Sequence, residues 1–84
     1  MDLSEIEHRL LRVIALCADL VEQSRLDDDR SMTTAGEPGV ALENLCEQLL
    51  DQDAVVPVEV FDEIEALGRA MGLNPTTWTR VPRR

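Results

Sequence analysis

The chain has no lysine and no tyrosine, one histidine and two cysteines, and Phe61 and Trp78 are its only aromatics. Each scarcity excludes something. His8 stands alone, with no serine or cysteine at a meaningful spacing, so no nucleophile–base pair is present and His8 reads as a solvated surface residue. Two cysteines do not make a disulfide framework. Cys17 and Cys46 fall among apolar residues in helical patterns, where a thiol packs as a small hydrophobe; a bridge or a reactive thiol is the alternative. Gly36 and Gly39 flank Pro38 and lack the Lys-Ser/Thr that would follow in a phosphate loop. Asp51 and Asp53 match two positions of a calcium loop whose other positions are missing, and no zinc-ligand spacing occurs. Carboxylates are plentiful, but nothing marks two of them as an acid–base pair in a cleft. The expectation is a protein that is not an enzyme, with no catalytic residue, metal or cofactor. No apolar run approaches membrane-spanning length and none follows a basic start, so the expected compartment is the cytoplasm.

What is present is helix and acid. The 84 residues carry a net charge of -9, which opposes direct contact with nucleic acid or anionic membrane and favours a basic partner. This length supports one domain, close to the lower limit for a fold held by its core alone. Ser4 and Glu7 form a capping-box pattern. Leu3, Ile6, Leu10, Val13, Ile14, Cys17, Leu20 and Val21 then recur at helical spacing and predict an amphipathic helix from about Ser4 to Arg25. Asp27-Asp28-Asp29 and the polar residues after them break the pattern, leaving at most a short turn between Asp28 and Ala35 with Met32 as its large apolar residue.

Gly36-Glu37-Pro38-Gly39 signals a turn into a second helix, on which Ala41, Leu42, Leu45, Cys46, Leu49 and Leu50 share one face. Glu43, Glu47 and Asp51 share the opposite face. Asp53 to Pro57 reads as an extended loop, because Pro57 argues against a central strand. Val60, Phe61, Ile64, Leu67 and Met71 line a third helix, and Gly72 is placed as its left-handed terminator with Leu73 folding back. Asn74-Pro75 repeats a start signal for a short turn over Thr76 to Val81. Trp78 reads as a plug over the helix ends, with an exposed binding anchor as the alternative. Residues 81–84 read as a frayed tail. The fold class expected is all-α: a small antiparallel bundle of three main helices plus one or two short turns.

The charges are segregated. Ser31 to Ala66 holds nine acids and no base; Leu67 to the end holds four arginines and no acid. The outer faces of the second and third helices are either solvated faces that keep a small bundle dissolved or a docking surface for a basic partner. In the second case Glu43, Glu47, Asp51, Asp53, Asp62 and Glu65 are the candidate partner-binding residues.

The stretch Gly36-Glu37-Pro38-Gly39-Val40-Ala41-Leu42-Glu43-Asn44-Leu45-Cys46-Glu47-Gln48-Leu49 resembles the MafI-type immunity protein family, with its glycine-acid-x-glycine turn and alanine-leucine helix. Phe61-Asp62-Glu63-Ile64, then Leu67-Gly68-Arg69-Ala70-Met71-Gly72-Leu73-Asn74-Pro75 and Trp78, is similar to that family as well. Asp27 to Thr34 departs from it, since a more helix-like segment is expected there. The resemblance covers about Gly36 to Trp78. It implies a small helical protein that binds and blocks a polymorphic toxin domain, often a nuclease and in one associated class an EndoU-like ribonuclease. It implies no catalytic residues. The alternative is an acidic helical adaptor that masks a basic nucleic-acid-binding protein.

Overall fold

The computed structural model describes residues 1–84. Its first helix, α1, spans Leu3–Leu16 and buries Ile6, Leu10, Val13 and Ile14. The cap is Asp2, whose carboxylate accepts the Glu5 N–H at 2.8 Å. The Ser4–Glu7 box therefore lies inside the helix instead of starting it. The helix also stops well short of Arg25. Cys17 caps it, and the N–H groups of Leu20 and Val21 both bond to the Cys17 carbonyl. Cys17 and Val21 remain in the core across this turn. The apolar spacing that suggested one long helix is thus satisfied by a helix followed by a bend.

Glu22, with φ -56 and ψ 137, redirects the chain into α2, Gln23–Thr34. This helix replaces the expected short turn. It has almost no amphipathic pattern and buries only Leu26, Asp29 and Thr33, with Met32 packed at the edge. Local bonds support it: Arg30 to Asp27 at 2.8 Å, Gln23 to Asp27 at 3.1 Å, and the Thr33 hydroxyl to the Asp29 carbonyl at 2.7 Å. Such pairs contribute only tenths of a kcal/mol each, so docking on neighbouring helices holds this segment helical.

α2 ends at Gly36, at φ 87, and Pro38 opens α3, Pro38–Asp51. α3 buries Ala41, Leu42, Leu45, Cys46 and Leu49, the expected face, while Leu50 is half-buried. α4, Val58–Ala70, buries Val60, Phe61, Ile64, Leu67 and Gly68. Gly72 terminates it at φ 69, and the Leu73 N–H returns to the Gly68 carbonyl at 2.9 Å, as the sequence predicted. Asn74 then caps the short α5, Thr76–Thr79, accepting from the Thr76 N–H and hydroxyl at 3.0 Å each.

The fold is all-α, but the expected three long helices are four of 12 to 14 residues and one four-residue turn. α2 lies chiefly on α3, α1 touches α2, α3 and α4, and α5 packs on α3 and α4. One core cluster of 20 buried residues draws on all five helices. Trp78 sits in it, fully buried, over the bare backbone of Gly68, where a Cβ would overlap the indole ring.

The C-terminal segment is docked, which corrects the frayed tail. Val81 is buried. Val56 and Arg83 form an isolated parallel bridge: Val56 N–H donates to the Pro82 carbonyl, Arg84 N–H to that of Val56, and Val58 N–H to that of Arg84, at 3.0 to 3.1 Å. Pro57 lacks a donor, but Val56 and Val58 on either side supply theirs, so the extended loop still pairs. The Arg83 guanidinium lies 3.9 Å from the centroid of the Phe61 ring.

Candidate protein-binding surface

The i, i+4 spacing of Glu43 and Glu47 places both on the exposed side of α3, opposite its buried face. They line one wall of a groove of about 420 Å³ between α3 and α5, with Leu50, Thr77 and Arg80 among its other residues. Neither glutamate is in an ion pair, and neither is Arg80. A partner cation can therefore meet these two carboxylates without first breaking an internal bridge.

The other four candidates are dispersed. Asp51, one turn beyond Glu47, is 3.5 Å from Arg25 of α2. Asp53 stands at φ 49 just past α3, where the next N–H, of Ala54, bonds back to the Leu49 carbonyl at 2.9 Å. Its position is that of a helix terminator, a conformation that aspartate tolerates better than most residues. Asp62 is exposed on α4 and unpaired, whereas Glu65 is held by Arg69 at 3.0 Å. Arg69 in turn lies 5.7 Å from the Trp78 ring centroid. Only Glu43 and Glu47 share a groove.

A second groove, of about 460 Å³ between α1 and α4, escaped the sequence reading. Val13 and Val60 contribute to its lining. Arg9 spans it, donating Nε and Nη2 to the two oxygens of Glu63 at 2.7 and 2.6 Å, and Nη1 to Glu5 at 3.1 Å. The hydrogen bonds from Arg9 are the main reason that the Glu63 carboxyl is held below the usual range. His8, Arg12 and Glu59 also line this groove, and Leu16 beside them is 57% exposed. No nucleophile accompanies the histidine. The helical spacing of His8 and Arg12 was visible in the sequence; their position opposite α4 was not.

Of the two buried polar residues, Asp29 and Thr33, the ionisable one is Asp29, with no exposed surface. Burial pushes its carboxyl up to about 6, against a smaller opposing effect of the bond from Gln48. The sequence signal was its place between Leu26 and Thr33, at spacing i+3 and i+4, on the stripe that α2 buries. Cys17 and Cys46 are free and buried, and burial raises their thiols to about 11 and about 12. Such thiols are poor nucleophiles at neutral pH. No three His, Cys, Asp or Glu side chains gather into a metal-holding group. No helix is long and apolar enough to cross a membrane.

No family model, curated protein or solved structure matches the chain.

Proposed function

We propose that this chain is a non-enzymatic binding protein that neutralises a basic partner, in the manner of an immunity protein blocking a bacterial toxin domain. The observation that carries the reading is the pair Glu43 and Glu47: exposed, bridged to no arginine although Arg80 lines the same groove, and aligned on one groove wall within a stretch of sequence that contains no base. The resemblance of Gly36 to Trp78 to the MafI-type family supports the toxin as the partner. The helical Gln23–Thr34 fits that resemblance better than the broken segment expected from the sequence.

The mechanism is steric and electrostatic. A nuclease domain must hold polyphosphate and so presents a basic cleft. The α3 face brings carboxylates to that cleft and occupies or overhangs it, and the acids raise the association rate by steering. The candidate set contracts to Glu43, Glu47 and Asp62, because Asp51 and Glu65 already have arginine partners and Asp53 terminates a helix.

The test is the triple variant E43K/E47K/D62K against a basic nuclease toxin domain of the kind that the resemblance implies, sought in the genes beside this one, by growth rescue on co-expression and by binding kinetics. The expected result is an association rate at least tenfold lower in low salt, with the difference shrinking in high salt. Equal association rates in low salt would sink the acidic-face mechanism, and absence of rescue by the unaltered chain would sink the immunity role.

A further inference from the structure

α2 is the element least supported by its own sequence, and one of its three buried side chains is a carboxyl group. Asp29 has no exposed surface and lies at the α2–α3 interface, where Gln48 Nε2 donates to its Oδ1 at 3.2 Å. Two buried polar atoms of this same pair lack a partner: Asp29 Oδ2 and Gln48 Oε1. Both are acceptors as the groups stand. These two acceptors belong to a carboxylate and an amide that already share one bond, and a single proton between them would satisfy both. A carboxylic acid and a primary amide complement each other fully: amide N–H to one carboxyl oxygen, carboxyl O–H to the amide oxygen.

We propose that Asp29 carries a proton in the folded chain and donates it from Oδ2 to Gln48 Oε1, closing a two-bond acid–amide ring that makes the docking of α2 on α3 dependent on pH. The proton comes from solvent and returns to it; no other bond changes. With the proton in place, both orphaned acceptors are satisfied. Without it, the buried Asp29 Oδ2 and Gln48 Oε1 are left without donors, the costly state for buried polar groups.

The surrounding charges do not supply a substitute. Arg25 and Arg30 on α2 act on Asp29 only from a distance and are bridged to the exposed acids Asp51 and Asp27, while Asp28 opposes ionisation. The neighbouring titratable group on the turn after α1 is the Cys17 thiol, with the Cys46 thiol of α3 beyond it; both are neutral across this range. The Asp29 carboxyl, raised from its ordinary 3.8 to about 6, agrees with this geometry. An acid raised on folding contributes its full stabilisation below the unfolded value. That contribution declines as pH rises between the two values and is gone above the folded one. α2 is therefore locked on α3 in mild acid and becomes the first helix to open near neutrality and above.

Two measurements on the intact chain test this. In a carboxyl ¹³C titration, the Asp29 resonance is expected to move with a midpoint between about 5 and 7; a midpoint at or below about 4 overturns the proposal. The second is hydrogen exchange of α2 amides, corrected for intrinsic rate, in the unaltered chain and in D29N. The asparagine of D29N supplies a permanent donor and acceptor in the same places. The α2 opening constant is expected to rise about tenfold or more from pH 4.5 to pH 7.5 in the unaltered chain and to stay flat in D29N. Equal pH dependence in both chains, or a D29N chain that opens more readily at pH 7.5, overturns the proposal. If D29N does not fold, the carboxyl titration of the unaltered chain decides alone.

Discussion

Replacing Gly68 by alanine should destabilise this protein, although alanine is the better helix former. Gly68 lies inside α4, where the exchange by itself gains about 1 kcal/mol. The added Cβ would, however, lie 2.5 Å from Cε3 of Trp78, with Cζ3 nearer still, against an ordinary contact of 3.4–4 Å. The ring must retreat by about 1 Å into close-packed surroundings. It is fully buried, within the core shared by α3, α4 and α5, and has no solvent-facing side to yield toward. Overpacking of this kind costs about 1–3 kcal/mol, and the upper part of that range applies where a rigid ring has no free side. After the helix gain is subtracted, the expected net loss is about 1–2 kcal/mol, a fall in Tm of about 5–15 °C for a domain of this size. Thermal melts followed by circular dichroism and by the fluorescence of the single tryptophan measure it. The sign should reverse once the ring is gone: in a W78L background, with an osmolyte added to keep that weaker chain folded, G68A should stabilise by its propensity alone. A G68A chain as stable as the unaltered protein would rule out a clash with Trp78, as would equal destabilisation in both backgrounds.

Two further outcomes follow from the packing. Deleting Arg83 and Arg84 removes two backbone hydrogen bonds to the Val56–Val58 segment and the cation over Phe61. The midpoint of denaturant unfolding should show a loss of about 1–2 kcal/mol, whereas a frayed tail would cost nothing. Cys17 and Cys46 should resist a thiol reagent at pH 8 in the folded chain and react at once in denaturant, because burial raises both thiols well above that pH; prompt reaction in the folded state would contradict the core placement.

The long-range charge pattern carries a related consequence. All four arginines after Leu67 lie in the last 18 residues, and the fold uses three of them locally: Arg69 on Glu65 and near Trp78, Arg83 on Phe61, Arg84 on the Val55 carbonyl. Only Arg80 reaches the groove of Glu43 and Glu47, and it bridges to neither. Segregation along the chain thus persists in space on the α3 face only in part, since Arg80 lines the groove of Glu43 and Glu47 and Arg25 bridges Asp51.

The all-helical class, the buried faces of α3 and α4, the turn at Gly36 to Gly39, the terminator at Gly72, the cap at Asn74 and the burial of Trp78 were legible in the residues alone. These features depend on periodicity, dihedral freedom and capping chemistry, which act within a few residues. The remaining features depend on contacts between segments distant in the chain. Cys17, Leu20 and Val21 kept helical spacing through a turn because each still had core to bury against, so the sequence extended α1 too far. Gln23–Thr34 became a helix because α3 and α1 cover its narrow stripe, a stabilisation that no local propensity contains. Residues 81–84 docked because the loop at Val56 offered unpaired backbone groups some 25 residues away in the chain. The candidate site divided for the same reason. The sequence offered six acids without saying which were bridged. Glu65 met Arg69 on its own helix at i, i+4, a pairing that the spacing already allowed, whereas Asp51 met Arg25 of α2 and Glu43 and Glu47 were left facing a groove, outcomes set by distances between helices that packing alone fixes.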